Sequence, residues 1–138
     1  MPLNGQIIGQ AERSTRALLD RLLARTATTF EEWVAVNLTA VSGGTLARDD
    51  LVARMATGLR ITPAAAGAAV TGLVEAGLLD AGGSLTPAGR ARYDEIAAGV
   101  AELTARLYAG FPADDLDAAG RVLAEITARA DAELATAA

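Results

Sequence analysis

The stretch Leu78-Leu79-Asp80-Ala81-Gly82-Gly83-Ser84-Leu85-Thr86-Pro87 leaves a chain few ways to fold. Gly82-Gly83 between apolar pairs supplies the positive φ angles of a tight turn and predicts a short β-hairpin. Thr86 then caps a helix whose first residue is Pro87, since proline has no N–H to lose there and its φ is already helical. The same punctuation occurs upstream, where Thr62-Pro63 opens a helix and Gly77 closes it. A further helix precedes it from about Ala47 to Ala56, with the break at Thr57-Gly58. Helix, turn, second helix, hairpin and a long helix, in that order, predict a winged helix-turn-helix.

The flanking segments carry more apolar stripe than so small a core can cover. From Ile8 to Arg25 the residues Ile8, Ala11, Thr15, Leu18 and Leu22 recur in steps of three and four, with Leu19 and Leu23 widening the stripe. Thr29-Phe30-Glu31-Glu32 has the pattern of a capping box, opening a helix that buries Phe30, Trp33, Val34, Leu38 and Val41 and stops at Ser42-Gly43-Gly44. Beyond Pro87, Tyr93, Ile96, Val100, Leu103 and Leu107 follow heptad-like spacing until Gly110-Phe111-Pro112. A last helix from about Asp114 to Leu134 presents Leu116, Ala119, Leu123, Ile126 and Ala130. The surplus predicts a homodimer. The expected organisation is one domain over 1–138: a winged core at 28–90, and dimerisation helices at 5–26 and 91–138. The fold class is mainly α with a small β-hairpin wing.

Composition narrows the chemistry. The chain has no Cys, no His and no Lys, and all twelve cations are Arg. Disulfides, thiolate chemistry, imidazole bases and nearly all transition-metal sites are thereby removed. No cofactor, no metal and no enzymatic activity is expected; an enzyme here would be confined to Tyr, Arg and carboxylates. The start lacks a basic run followed by an apolar one, and no apolar stretch approaches the roughly 20 residues of a membrane span. A cytoplasmic protein without a membrane partner is the expectation. Of the net charge of -5, residues 1–44 and 45–90 each contribute zero, and the deficit falls after residue 90. Gly43-Gly44 and Gly82-Gly83 lack the setting of a phosphate loop. The pairs Asp49-Asp50 and Asp114-Asp115 point in different directions on a helix and read as solvated surface.

Thr62-Pro63 opening one helix, Leu73-Val74-Glu75-Ala76-Gly77-Leu78-Leu79 closing it, and Leu85-Thr86-Pro87-Ala88-Gly89-Arg90 after the hairpin together resemble the multiple-antibiotic-resistance (MarR) family of winged-helix transcriptional regulators. The resemblance covers nearly the whole chain. It implies a dimer holding two winged helices on double-stranded DNA, with a small-molecule effector bound between the dimerisation helices and the winged helix. On this sequence the DNA contacts would fall to Arg54, Arg60, Thr62, Thr71 and Arg90. The effector cleft would lie near Trp33, Asn37, Arg16 and Tyr93 and would suit an aromatic or acidic molecule. For Trp33 and Asn37, one turn apart on one helix, two readings stand: a ligand contact, or a core tryptophan beside an exposed amide.

The chain departs from the family pattern on its reading surface. Where the family carries Arg in the second helix of the motif, this sequence has Ala68 and Gly72, and Ala81 replaces the Arg after the first wing strand. The wing is shortened, with only Asp80-Ala81-Gly82-Gly83-Ser84 between Leu79 and Leu85. By spacing, Ala64, Ala65, Ala68, Thr71, Gly72 and Glu75 face outward. Such a non-basic surface supports an alternative: a divergent protein of the same fold that has lost DNA binding and binds or transforms a small molecule in its cleft. A third possibility is a protein-interaction module.

Overall fold

The computed structural model describes residues 1–136. The helices are α1 (Gly5–Ala24), α2 (Phe30–Val41), α3 (Arg48–Leu59), α4 (Pro63–Glu75), α5 (Pro87–Tyr108) and α6 (Ala113–Thr136). The chain divides into two compact units, Met1–Ala101 and a second beginning at Glu102. The last two positions of the predicted 91–138 segment lie outside the described residues. No helix among the described residues is long and apolar enough to cross a membrane.

In the first unit the predicted caps are formed. Asn4 starts α1 three residues earlier than the hydrophobic stripe alone suggests, because its Oδ1 accepts from Ile7 N at 2.8 Å. Glu32 N donates to Thr29 Oγ1 (3.1 Å) and Thr29 N donates to Glu32 Oε1 (2.9 Å), the capping box of α2. Thr62 Oγ1 accepts from Ala65 N at 3.0 Å at the head of α4, ahead of Pro63. Gly77, at φ +76°, closes α4 while Leu78 N donates to Leu73 O.

The helix-turn-helix core joins Ala35 and Val36 of α2, Leu46, Leu51 and Met55 around α3, Ala66, Val70 and Leu73 of α4, and Leu78 and Leu79 beyond. A second cluster joins Leu23 of α1, Trp33 of α2 and Ile96 of α5. Thr39, fully buried in α2, satisfies its hydroxyl by donating to Ala35 O at 2.8 Å.

Several expectations need correcting. Val41 is 67% exposed; the line that α2 buries is Trp33, Ala35, Val36 and Thr39. Gly58 does not end α3. The helix continues to Leu59, and Arg60 caps it in the left-handed region at φ +54°. Gly82-Gly83 do not form a two-residue turn. Only Gly83 has positive φ (+85°), Gly83 N donates to Asp80 O, and Asp80 Oδ1 accepts from both Gly82 N and Ser84 N at 2.9 Å. This is a type I turn followed by a left-handed glycine, a three-residue loop organised by an aspartate side chain.

The wing segment contains no strand among the described residues. It is reduced to two isolated antiparallel bridges, Leu79 with Leu85 and Thr45 with Ser84. Asp80 N donates to Ser84 O and Thr86 N to Leu78 O, while on the other edge Leu46 N donates to Gly83 O and Leu85 N to Gly44 O. The turn is thereby stitched to the approach to α3 as well as to the exit from α4.

In the second unit, Gly110 (φ +84°) follows the end of α5 and Pro112 precedes α6. Asp114 and Asp115 occupy the first turn of α6, where carboxylates favour the helix dipole. No residue of α6 is buried, and Leu116, Val122, Leu123, Ile126 and Leu134 are exposed along it.

Candidate nucleic-acid interface and ligand cleft

The exposed surface of α4 is made by Pro63, Ala64, Ala65, Ala68, Thr71 and Glu75. Gly72 does not belong to it: half-buried, it faces α2, where an added Cβ would lie 3.6 Å from Glu32 Oε2. The helix itself therefore presents methyl groups, the Thr71 hydroxyl and the Glu75 carboxylate, but no cation. Thr62 spends an oxygen lone pair on the Ala65 amide and keeps its O–H to donate.

A cation missed by the sequence reading reaches this surface from elsewhere. Arg48, the first residue of α3, is exposed, and its Nη2 donates to Gly67 O at 3.1 Å and to Thr71 Oγ1 at 2.8 Å. Nothing in the spacing of α3 signals the contact, because it joins residues 19 and 23 apart in sequence. Arg48 also lines a cavity of about 160 Å³ with Leu51, Val70, Val74, Leu79 and Asp80. That places it in the notch between α4 and the wing turn.

Of the other predicted DNA contacts, Arg54 and Arg60 are exposed on α3 and at its end. Arg90 lies instead with the predicted ligand residues. Its guanidinium carbon is 5.6 Å from the centroid of the Tyr93 ring, and one of its terminal nitrogens lies against Gly44. Tyr93 in turn stacks on Trp33, with ring centroids 5.7 Å apart and planes at 18°. Tyr93 thus touches Trp33 by ring stacking and Arg90 by a longer cation–π contact, with Trp33 seated in the second core cluster.

Arg16 stands over Phe30, its guanidinium carbon 3.3 Å from the ring centroid. It also pairs with Glu12 (3.7 Å) and Asp20 (3.5 Å). The Asp20 contact has ion-pair distance without hydrogen-bond geometry, so Arg16 Nε stays without a hydrogen bond. Asn37 is half-buried one turn after Trp33. A second missed residue, Arg92, donates from Nη1 to Thr26 O and to Thr28 Oγ1, both at 3.1 Å, and anchors α5 to the turn between α1 and α2. Among the described residues no three His, Cys, Asp or Glu side chains gather to hold a metal ion.

A helix-turn-helix whose second helix lies beside a pinned wing turn is the architecture of a winged-helix DNA reader. No family model matches the sequence, and a search of curated proteins gives no match. Comparison of structures does. The MarR family protein Rv2887 of Mycobacterium tuberculosis, solved with salicylic acid, superposes with a TM-score of 0.70 at 25% identity, over 92% of this chain and 99% of that one. Ligand-free NadR gives a TM-score of 0.77 at 25% identity, over 93% and 99%. Rv2887 solved with DNA gives 0.71 at 23% identity, over 91% and 98%. The chain resembles the MarR family of transcriptional regulators over nearly its full length.

Proposed function

We propose that the chain is a MarR-like dimeric transcriptional regulator of the cytoplasm, without enzymatic activity, that binds double-stranded DNA through its winged helix and responds to a small molecule. In this reading residues 28–90 are the reading module, the turn at 80–84 is a shortened wing, and the flanking helices dimerise. The observation that carries it is the exposed face of α4 beside the wing turn, in a fold shared with a protein solved on DNA. Arg54, Arg60 and the hydroxyls of Thr62 and Thr71 supply phosphate or base contacts. Arg90, near the Tyr93 ring, links the reading module to the cleft. An aromatic or acidic effector entering near Trp33, Asn37, Arg16 and Tyr93 would compete with the Trp33–Tyr93 stack.

Fluorescence anisotropy with duplex DNA from upstream of the chain's own gene tests the reading. Saturable binding that weakens steeply with salt, and is lost in the double variant Arg54→Ala with Arg60→Ala, supports it. The lack of a cation on the surface of α4 favours the second reading, a protein of this fold whose cleft binds or transforms a small molecule without DNA. No duplex binding at low salt, together with quenching of the Trp33 emission by aromatic acids, would establish that one instead.

A further inference from the structure

We infer that Arg48, held over Gly67 and Thr71 by hydrogen bonds from α3, supplies the phosphate-binding cation that the reading helix α4 lacks. The inference deepens the DNA-binding reading above and rests on it.

An arginine has five N–H donors in a planar fork. The two on Nη2 go to Gly67 O and Thr71 Oγ1. Those on Nη1 and Nε point to different sides of the guanidinium and are left to donate singly to the oxygens of a phosphate. An added Cβ at Gly67 would lie 3.8 Å from Nη2, at ordinary contact distance, which places the guanidinium directly over this turn of α4. Thr71 accepts from Arg48, which leaves its own O–H to donate to the same phosphate.

The location fits the task. A reading helix lies in the major groove, and a wing beside it reaches across the neighbouring backbone. The strand between must pass the notch that Arg48 shares with Asp80. Both of its hydrogen bonds to α4 fix the guanidinium in advance, so little side-chain entropy remains to be lost on binding. Asp80 is the opposing charge in the notch, but its Oδ1 is turned onto the Gly82 and Ser84 amides.

The test measures affinity for a random duplex against salt, because a phosphate contact needs no operator. Arg48→Gln removes the charge and keeps an N–H₂ for the α4 acceptors, and Arg48→Lys restores the charge alone. For the wild type, log K falls linearly with log salt; Arg48→Gln should flatten that slope by about 0.9 per bound protomer, and Arg48→Lys should recover it. Thr71→Val should weaken binding a few-fold. An unchanged slope in Arg48→Gln, with or without a lower melting temperature, would reduce Arg48 to a structural clamp and overturn the inference while the regulator reading stands. A wild type that ignores every duplex would overturn both.

Discussion

Thr86 joins the two halves of the motif that points to the fold. Its hydroxyl donates to Gly77 O and accepts from Gly89 N, and its own N–H donates to Leu78 O. The Gly77-Leu78 corner and the Leu-Thr-x-x-Gly-Arg element are thus one physical object. The cap was legible in sequence, since a hydroxyl three residues before an amide is a local pattern. The reason for Gly89 was not, because a Cβ there would run into Leu78 O, eleven positions back along the chain. Gly89→Ala should therefore cost about 2–3 kcal/mol, as backbone crowding in a packed site does. Gly72→Ala is the contrast: its Cβ meets only Glu32 Oε2 at ordinary contact distance, and relief of the helix-interior glycine should gain up to about 1 kcal/mol. Urea unfolding of the two variants beside the wild type checks both signs.

At the scale of elements, hydrophobic periodicity and caps located the six helices of the described residues, and errors collected where tertiary contacts or side-chain hydrogen bonds overrule simple turn signals. Gly58 reads as a stop, yet α3 passes through it because Leu51 and Met55 hold the helix on the core and the turn is made by Arg60. The Gly-Gly pair reads as a two-residue hairpin, yet the Asp80 side chain organises a longer loop. That loop carries a prediction within the DNA-binding reading. Asp80→Asn keeps an oxygen for the Gly82 and Ser84 amides and removes the negative charge beside Arg48, so duplex affinity should rise several-fold at low salt and less at high salt. Anisotropy at two salt concentrations checks it. The stack of α2 on α5 carries another. Tyr93→Ala removes the partner of the chain's one tryptophan, and Trp33 emission should shift to the red as water reaches the ring. It should also cost about 1–3 kcal/mol, less than a fully buried aromatic because Tyr93 is half-buried. The family resemblance implies that Trp33 and Tyr93 lie near one cleft, and the structure stacks the two rings on each other; that Arg90 reaches the Tyr93 ring was invisible, because no pattern sets which side an arginine leans toward.

For the whole molecule the decisive fact is what α6 leaves uncovered. Its 24 residues bury none, while Leu116, Val122, Leu123, Ile126 and Leu134 remain between 36% and 57% exposed. Leu107, Tyr108 and Phe111 just before it are exposed as well. The polar side is well formed, with Arg121 paired to Asp117 and Arg129 to Glu125 at four-residue spacing. Such pairs contribute only about 0.3–0.5 kcal/mol each and do not explain a long helix in water. Full burial of a Leu or Ile side chain contributes about 1.5–3 kcal/mol, so covering even part of this stripe outweighs the pairs. In the proposed dimer a second copy of the chain would supply that cover, satisfying both protomers with one self-complementary surface. The wild type should then sediment as a dimer, and the double variant Leu123→Glu with Ile126→Glu as a folded monomer, since neither side chain is part of a buried core. The same variant should lose close to half of the wild-type salt slope for DNA, because each monomer brings one set of phosphate contacts instead of two. A wild type that sediments as a monomer at micromolar concentration would remove the dimer from the proposal and leave the exposed stripe of α6 for a different partner.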